Sequence, residues 1–367
     1  MPKQSSYSQS GVNYSSLDPV KIQAQRAAQK TAAFLLKKGA HEVKATRGES
    51  AYVWKQGSVY LASVIEGLGT KNLVADAMRK VTGKTYYDIV AHDTVATIIN
   101  DLVTVGAQPL VLHAYWASGS SEWFADHKRV KDLVAGWQKA CLTANVTWGG
   151  GETPAYAGII DKDTIDLAGS AVGIIKNKKN LITQDRIRAG DHIIFIKSNG
   201  INANGLTLAR SIADKLPKGF ATSLPDGKSY GEALLTKSNI YASLVYALQQ
   251  KNIDIHYIVN ITGHGLRKLM RAQKQFTYSV EKMFKPQPVF EFIQKHGSLS
   301  DSEMYATFNM GQDYALFIPP RDVPTTLAVI KKNGFTGLDA GIIKKGDKQV
   351  ILKSLNIKYE ESSLKIR

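Results

Sequence analysis

Four short polar motifs follow one another in the first half of the chain, and together they require a fold that supports a polyphosphate-metal site. Glycines let backbone N–H groups approach phosphate oxygens, a lysine adds a point charge, and carboxylates hold the divalent cation that such a site needs. Each motif alone is a weak signal, whereas the ordered set is a strong one. The motifs are Glu66-Gly67-Leu68-Gly69-Thr70-Lys71, His92-Asp93-Thr94, Asn100-Asp101 and Gly149-Gly150-Gly151-Glu152-Thr153.

The length and composition of the chain indicate two globular domains. The 367 residues, of which 44% are hydrophobic, can bury a large core, and most single domains are shorter. A lysine-rich stretch from Lys176 to Thr183 reads as the crossover between the two halves. We therefore place the boundary near residue 178, which predicts one domain over residues 1–178 and a second over residues 179–367.

Several features favour a soluble protein of the cytoplasm. The segment Met1 to Gly11 is rich in Ser and Gln without an apolar core, unlike an ordinary secretory signal. No stretch approaches the roughly 18 to 20 apolar residues of a membrane span, so no membrane contact is expected. Cys141, the single cysteine, cannot form an intrachain disulfide, and this favours a reducing compartment. It is either a packed apolar residue, which we favour, or a reactive thiol.

The formal net charge of +16 raises the possibility of nucleic-acid binding, since clustered lysine and arginine neutralise backbone phosphates. The basic residues are not clustered in this way, and exposed aromatic residues do not alternate with them. We therefore expect a solvated basic surface and no nucleic-acid partner, with small anionic substrates attracted by the general field. Examples are Lys176, Lys178, Lys179, Lys344, Lys345 and Lys348.

The first two motifs belong to a predicted strand and helix. The apolar run Val59 to Ile65 predicts a strand, and Glu66 begins the turn at its carboxyl end. The spacing of Val95, Ile98, Ile99, Leu102 and Val103 predicts a helix that ends near Gly106 and Pro109. Asp93, Thr97, Asn100 and Asp101 then share its polar face.

The two aspartates of this helix cannot chelate one ion together. Asp93 and Asp101 lie eight residues apart, or roughly 12 Å along the helix axis. Three interpretations stay open: one aspartate binds at each end of a phosphate chain, one binds metal and the other substrate, or both are solvated helix carboxylates. The adjoining glycine-rich turns favour a functional role.

The rest of the first half predicts a strand at Pro109 to Tyr115, a helix from about Ala125 to Ala144, the glycine turn and a strand at Asp166 to Ile175. The three consecutive glycines permit positive φ and leave backbone N–H groups free for an anion. The helix carries a core stripe of Leu133, Val134, Trp137, Ala140 and Cys141.

The second half contains two further glycine turns. A predicted strand from Asp191 to Lys197 leads into the loop Asn199 to Gly205 and a helix through Leu206, so this helix start is a second candidate phosphate site. Asn202 and Asn204 could equally be caps and turn formers. A similar turn runs from Asn260 to Gly265; within it, a lone His264 is more often structural than catalytic.

These motifs, in this order, resemble the phosphoribosylformylglycinamidine cyclo-ligase family, also called aminoimidazole ribonucleotide synthetase. The resemblance runs from Gly11-Val12-Asn13-Tyr14 to about Gly341. Besides the motifs above, it includes Asp166-Leu167-Ala168-Gly169, Asn204-Gly205, Ile261-Thr262-Gly263 and the run from Met304 to Gly311.

The resemblance implies a two-domain α+β fold with mixed sheets covered by helices. It also implies a homodimer in which N-terminal strands, here near Val59 to Ile65, meet across the interface. The implied reaction uses ATP and Mg2+ to phosphorylate the formyl amide oxygen of phosphoribosylformylglycinamidine, a small phosphorylated ribosyl amidine. The amidine nitrogen then closes the imidazole ring in purine synthesis. Such a reaction requires positioning and charge stabilisation more than a protein nucleophile.

The resemblance also suggests roles for individual residues. The N-terminal domain would bind nucleotide and metal, and the C-terminal domain would complete the substrate and phosphate site. The catalytic residues would be Lys71, Asp93 and Asp101, and the metal ligands Glu66, Asp93, Asp101 and Glu152. Nucleotide or phosphate would be bound by Gly67, Gly69, Thr70, Lys71, His92, Asn100, Gly149, Gly150, Gly151, Thr153, Asn199, Gly200, Asn202, Asn204, Gly205, Asn260, Thr262 and Gly263.

Three positions depart from the family pattern. Glu66 stands where the family has aspartate, and Asn202 and Asn260 stand where it has histidine. An amide donates and accepts hydrogen bonds but does not exchange a proton near neutral pH, which excludes acid–base roles for both asparagines. Two alternatives therefore stay open: another ATP-dependent kinase or ligase of the same superfamily, and a non-catalytic nucleotide-binding protein.

Overall fold

The computed structural model describes residues 14–364, and its first half is built on a six-stranded mixed sheet. The predicted motif residues Gly11, Val12 and Asn13 lie outside the described residues. The strands are β1 (Ala40–Glu42), β2 (Tyr52–Gln56), β3 (Val59–Gly67), β4 (Gln108–Ser118), β5 (Thr147–Glu152) and β6 (Ile165–Ile175), in the order β1-β2-β3-β6-β4-β5. The helices are α1 (Tyr14–Gln29), α2 (Ala33–Leu36), α3 (Lys71–Thr82), α4 (Tyr87–Leu102) and α5 (His127–Ala144).

The second half is built on a seven-stranded mixed sheet. Its strands are β7 (His192–Lys197), β8 (Tyr257–Asn260), β9 (Phe276–Val280), β10 (Gln312–Ile318), β11 (Gly337–Lys345), β12 (Gln349–Leu352) and β13 (Ile357–Glu360), in the order β13-β12-β9-β11-β7-β10-β8. Its helices are α6 (Leu206–Ala213), α7 (Tyr230–Leu234), α8 (Ala242–Gln250), α9 (Pro288–Gly297), α10 (Asp301–Thr307) and α11 (Val323–Lys332). The predicted boundary near residue 178 falls in the connection between β6 and β7.

The strands and helices expected from local pattern are present with slightly different bounds, because periodicity marks the centre of an element better than its ends. One core prediction is wrong: Val134 on α5 is 38% exposed, whereas Leu133 and Trp137 of the same helix are fully buried. Between residues 14 and 364, none of the helices combines the length and hydropathy that crossing a membrane requires.

Helix α4 is central because it packs on the first sheet with one face and on the second half with the other. Its apolar face, with Ile98 and Leu102 among others, is completely buried. A short 3-10 helix, Val103–Val105, follows α4 and ends at Gly106, which has a φ of 83°. Its polar face is not solvated: Asp93 is 0% and Asp101 6% exposed. The alternative of two solvated helix carboxylates is therefore wrong, because the second half covers this face.

The segment Thr236–Tyr241 of the second half lies along this polar face. The amide of Asn100 donates to the carbonyl oxygen of Asn239 at 2.9 Å and accepts from the N–H of Tyr241 at 2.9 Å. His92 Nε2 lies 2.9 Å from the carbonyl oxygen of Ser238. These contacts satisfy the hydrogen-bonding capacity of backbone groups in this segment. The segment is irregular, so those groups have no helix or sheet partners.

A buried ion pair completes the junction between the halves. The Lys71 ammonium, at the first residue of α3, pairs with the Asp93 carboxylate, and both side chains are 0% exposed. Lys71 also donates to the carbonyl oxygens of Asn202 at 3.0 Å and Thr236 at 2.9 Å, and Asp93 accepts from the N–H of Ser238 at 2.8 Å. Both charges are thus solvated by backbone groups of the second half.

Replacement of Lys71 by methionine should strongly destabilise the protein. The change leaves the buried Asp93 carboxylate without its cation, and breaking such a pair costs about 3–5 kcal/mol. Urea unfolding of Lys71→Met and of the wild type under the same conditions measures this loss in the free energy of unfolding. The control is Lys80→Met, an exposed lysine of the same helix, for which a change within about 0.5 kcal/mol is expected. Equal stability of both variants would contradict the role of the pair.

Candidate active site

A cavity of about 440 Å³ lies where the two halves meet at the carboxyl end of β3. The turn after β3 and the C-terminal part of α4 form one wall. Loops of the second half form the opposite wall, and helix α1 contributes two residues. The lining residues are Lys21, Gln25, Gly48, Glu49, Ser50, Glu66, Gly67, Leu68, Gly69, Thr97, Asp101, Ala203, Asn204, Thr262, Gly263, His264, Lys268 and Arg271.

Two carboxyl groups, Glu66 and Asp101, interact directly in this cavity. Burial raises the pKa of Glu66 to about 7, and the charge of Asp101 and a hydrogen bond with it act in the same direction. Asn260 Nδ2 donates to Asp101 Oδ1 at 2.7 Å and so orients this carboxylate. Two carboxyl groups this close form a pair whose negative charge a divalent cation can neutralise.

Basic groups also line the cavity, and their charges act on this pair. Lys268 donates to the carbonyl oxygen of Asn260 at 3.3 Å and to the Thr262 hydroxyl, and burial lowers the pKa of Lys268 to about 8. Arg271 donates to the Ser50 hydroxyl at 3.2 Å and to the carbonyl oxygen of Gly48 at 2.9 Å. The cavity therefore combines a site for a cation with groups that attract phosphate.

His264 is a neutral member of the wall. Burial lowers the pKa of His264 to about 4, and the charges of Arg267 and Lys268 add to this effect. Its Nε2 lies 3.3 Å from an oxygen of Asp18, which belongs to helix α1. The imidazole therefore joins α1 to the glycine turn, in agreement with the expected structural role.

The structure brings part of the predicted site together. Gly69 has a φ of +77°, a conformation that glycine adopts without strain, and its place beside the carbonyl oxygen of Ala203 joins the turn to the second half. Asn260 does not line the cavity but hydrogen-bonds to Asp101, which does. The predicted residues that line the cavity are Glu66, Gly67, Gly69, Asp101, Asn204, Thr262 and Gly263.

The geometry does not support the predicted contacts of Lys71 with phosphate and of Asp93 with metal. Both side chains are fully buried, and they are occupied by each other and by backbone groups. His92 and Asn100 likewise bind the backbone of the segment Thr236–Tyr241. These four residues do not line the cavity. They connect the two halves next to it.

Other predicted phosphate ligands also point elsewhere. Asn199 Nδ2 donates to Asn239 at 2.8 Å, and Asn202 donates to the buried carboxylate of Asp313. A Cβ at Gly205 would lie 2.1 Å from the Phe308 ring, so its glycine serves close packing. Thr70 and Gly200 are also absent from the cavity lining.

The triple-glycine motif lies apart from the cavity. Gly149, Gly150, Gly151 and Glu152 belong to the exposed edge strand β5, and Thr153 follows it. Glu152 pairs with Tyr115, Tyr115 with Ala168, and Ala168 with Gly67. Three strand spacings, or about 14 Å, therefore separate Glu152 from the β3 turn.

The four predicted metal ligands consequently do not form one site. Of these, only Glu66 and Asp101 line the cavity. In the part of the chain that the structure describes, no group of three or more His, Cys, Asp or Glu residues is arranged to hold a metal ion. The donor set that does fit Mg2+ is the carboxylate pair, with oxygen atoms of bound phosphates as the remaining ligands.

Sequence reasoning missed the basic wall of the cavity and the acid Glu49. Lys268 and Arg271 follow the glycine turn by a few residues, within an apolar pattern of Leu266, Leu269 and Met270. The sequence did contain a signal for these two residues. They are basic positions within an apolar pattern, and they follow a glycine turn of the kind that binds phosphate. Glu49 lies in a loop without a motif, so no comparable signal existed for it.

Comparisons with known proteins find similarity over most of the chain. The family profile described as "AIR synthase related protein, N-terminal domain" matches residues 48–175, and the corresponding C-terminal domain profile matches residues 188–353. The phosphoribosylformylglycinamidine cyclo-ligase of Methanocaldococcus jannaschii is 31% identical, over 81% of this chain and 87% of its own length. That of Carboxydothermus hydrogenoformans is 33% identical, over 80% and 83%.

Solved structures share the fold at low sequence identity. The hydrogenase maturation protein HypE in complex with ATP superposes with a TM-score of 0.56 and 21% identity, covering 74% of this chain and 78% of that chain. AaThiL complexed with AMPPCP and TMP superposes with a TM-score of 0.57 and 12% identity, covering 85% and 90%. The predicted two-domain α+β fold is therefore confirmed.

Removal of the Glu66 carboxyl should change how stability depends on pH. The pKa of Glu66 is about 7 in the folded protein and 4.5 ordinarily, so the folded state retains a proton that the unfolded state loses. The free energy of unfolding therefore falls as pH rises from 4.5 to about 7. Glu66→Gln should lack this fall, which we expect to be about 3 kcal/mol.

Urea unfolding at about pH 5 and about pH 8, without divalent cations, measures this difference. Glu122→Gln, an exposed glutamate of the same half, is the matched control and should follow the wild type. A Glu66→Gln variant that retains the wild-type pH dependence would refute the raised pKa of Glu66.

Proposed function

The chain belongs to the phosphoribosylformylglycinamidine cyclo-ligase family, and we propose that it uses ATP to cyclise phosphoribosylformylglycinamidine to aminoimidazole ribonucleotide in purine biosynthesis. The observation that carries the proposal is that the Glu66–Asp101 pair and the basic groups of Lys268 and Arg271 line one cavity. A nucleotide with its metal and an anionic substrate need this combination of charges.

The proposed reaction has two steps. The formyl amide oxygen attacks the γ-phosphorus of ATP, the bond to the bridging oxygen breaks, and ADP leaves. The amidine nitrogen then attacks the activated carbon, the carbon–oxygen bond breaks, phosphate departs and a proton is lost to solvent. The products balance as ADP, phosphate, a proton and the aminoimidazole ribonucleotide. Transfer of phosphate makes a poor leaving group a good one, so the protein's task is positioning and charge stabilisation.

The residues of the cavity would divide this task. Glu66 and Asp101 fit Mg2+, which when bound neutralises phosphate charge on the nucleotide. Asn260 orients Asp101 through its hydrogen bond of 2.7 Å. The turn with Gly67 and Gly69 would offer backbone N–H groups to phosphate, while Lys268 and Arg271 provide positive charge on the opposite wall. Lys71 and Asp93 support the site without touching the substrate.

A coupled assay of the purified protein tests this function. With Mg2+, ATP and phosphoribosylformylglycinamidine, ADP and aminoimidazole ribonucleotide should form in equal amounts. Asp101→Asn should lower kcat/KM about 100-fold or more, because it removes charge stabilisation in the transition state. Glu122→Gln, which changes an exposed glutamate, should leave the rate unchanged.

The other outcomes discriminate between the alternatives. ADP without the aminoimidazole product would indicate phosphoryl transfer to a different small metabolite, as the two asparagines at family histidine positions allow. Nucleotide binding without turnover of either substrate would indicate a non-catalytic protein. In both cases the proposed cyclisation would be wrong.

We further propose that the protein is a homodimer formed through the outer face of the first sheet. Ile65 on β3 is 77% exposed, and its cross-strand neighbours Ser170 on β6 and His113 on β4 continue this face. Leu110 on β4 is a further exposed apolar side chain. A sheet face that exposes apolar side chains in this way is a common protein interface, and the family resemblance implies pairing in this region.

Replacement of Ile65 by glutamate should convert the dimer into a monomer. The change puts a charge at the centre of an apolar interface, where its desolvation opposes association. Sedimentation equilibrium should give about twice the chain mass for the wild type and the chain mass for Ile65→Glu. Ile159→Glu, at an equally exposed isoleucine outside this sheet, is the control and should stay dimeric. A monomeric wild type would exclude the proposed assembly.

We infer that the protein works in the reducing cytoplasm. Cys141 is a buried free cysteine on α5, and burial raises the pKa of its thiol to about 11. Such a thiol stays protonated and packs as an apolar group, which is consistent with the favoured interpretation of this residue.

A further inference from the structure

Asp313 on β10 carries a buried carboxylate that does not line the cavity. It is 2% exposed and accepts hydrogen bonds from three side chains. The donors are the amide of Asn202 at 2.5 Å, the hydroxyl of Tyr241 at 2.6 Å and the amide of Asn239 at 3.4 Å. A buried carboxylate needs donors of this kind, because it has lost its contact with water.

The two oxygens of this carboxylate bind different parts of the chain. Oδ2 accepts from Tyr241 and Asn239, which belong to the segment Thr236–Tyr241 along the polar face of α4. Oδ1 accepts from Asn202, in the middle of the loop Asn199–Gly205. The carboxylate therefore ties this loop to the segment that joins the two halves.

Asn202 is held at two points, and the residues that follow it belong to the cavity wall. Its carbonyl oxygen accepts from Lys71 at 3.0 Å, while its side chain donates to Asp313. Its φ of 60° lies in the left-handed region, which asparagine and aspartate adopt more readily than other residues with a side chain. Because Ala203 and Asn204 line the cavity, the way in which Asn202 is held determines where their polar groups lie.

The main chain of Asp313 fixes the second glycine turn of the same wall. Its carbonyl oxygen accepts from the N–H of Ile261 at 3.0 Å. The turn that begins there brings Thr262 and Gly263 to the cavity. One residue outside the cavity therefore sets the spacing between two loops that line it.

We propose that Asp313 is a positioning residue, which acts through Asn202 to hold the loop Asn199–Gly205 in the shape that receives a phosphate group. This inference rests on the proposed function, in which the nucleotide or the phosphorylated amidine supplies that phosphate. Hydrogen-bond donors to a ligand must be placed within about 0.5 Å of their productive positions. A loop that loses its anchor at Asn202 should therefore lose affinity even when the protein stays folded.

The experiment exchanges the two hydrogen-bonding partners. Asn202→Asp sets two carboxylates face to face and removes the hydrogen bond. The double variant Asn202→Asp with Asp313→Asn restores the bond with donor and acceptor reversed, and it leaves Tyr241 an oxygen to bind. Since the double variant keeps the new charge at position 202, recovery would identify the hydrogen bond as the cause.

Isothermal titration calorimetry measures affinity for AMPPCP with Mg2+ and, separately, for phosphoribosylformylglycinamidine, at a temperature at which every variant is folded. Asn202→Asp should weaken binding of at least one ligand about 10-fold or more, and the double variant should return to within about 3-fold of the wild type. A loss with AMPPCP identifies the nucleotide phosphate at the loop, and a loss with the amidine identifies the substrate phosphate. In the coupled assay, Asn202→Asp should raise the KM of the same ligand and change kcat by less than about 2-fold.

Asp191→Asn is the matched control. Asp191 is also 2% exposed, and it accepts from the N–H of Arg188 at 2.8 Å and lies 2.8 Å from His256 Nδ1. It precedes β7, whereas Asp313 lies beside the opposite end of that strand. Its replacement should lower the free energy of unfolding and leave both affinities unchanged. If Asn202→Asp does not fold, Asn202→Ala removes the same donor without adding charge and should show the same loss of affinity.

Three outcomes separate this inference from the proposed function. Unchanged affinities after replacement of Asn202, or a loss that the double variant does not recover, would overturn the inference and leave the proposed function intact. Binding without turnover in the wild type, with the expected order among the variants, would support the positioning role and refute the cyclisation. A wild type that binds neither ligand would overturn both.

Discussion

The ion pair between Lys71 and Asp93 is the contact on which the arrangement of the two halves depends. A charged pair without solvent is stable only when protein dipoles replace water around it. Those dipoles come from the backbone at Asn202, Thr236 and Ser238, all in the second half. The first half therefore cannot bury this pair on its own, and its folding is coupled to docking of the second half.

The same pair determines where the carboxylates of the site lie. Glu66 lies near the end of β3, just before the loop that leads to Lys71 at the start of α3. Asp101 follows Asp93 by roughly two turns of α4. Once Lys71 and Asp93 meet, the end of β3 and the C-terminal part of α4 are brought to the same cavity. Lys71 and Asp93, which resemble ligands in sequence, thus serve as the frame, whereas Glu66 and Asp101 line the cavity.

This division explains how much the sequence could predict. Strands such as β3, β6 and β7 and helix α4 follow from local apolar spacing, so the predictions for them hold. The partner of α4's polar face, the segment Thr236–Tyr241, has no motif, and its role depends on tertiary contacts alone. Glu152 is in the same cross-strand row as Gly67, but strands β6 and β4 lie between them. Local sequence patterns do not specify this order of strands in the sheet.

Asn202 and Asn260 each donate a hydrogen bond to a buried carboxyl group. Asn260 donates to Asp101, and Asn202 donates to Asp313, whose pKa is raised to about 6 by burial. An imidazole beside a buried carboxylate would be drawn towards its protonated form, whereas an amide donates the same hydrogen bond at every pH. Burial meanwhile raises the pKa of Glu66 and lowers that of Lys268, so both groups are pushed towards neutrality without ligand. Binding of the proposed metal–nucleotide complex would reverse this balance, because it would supply the opposite charges that each group lacks.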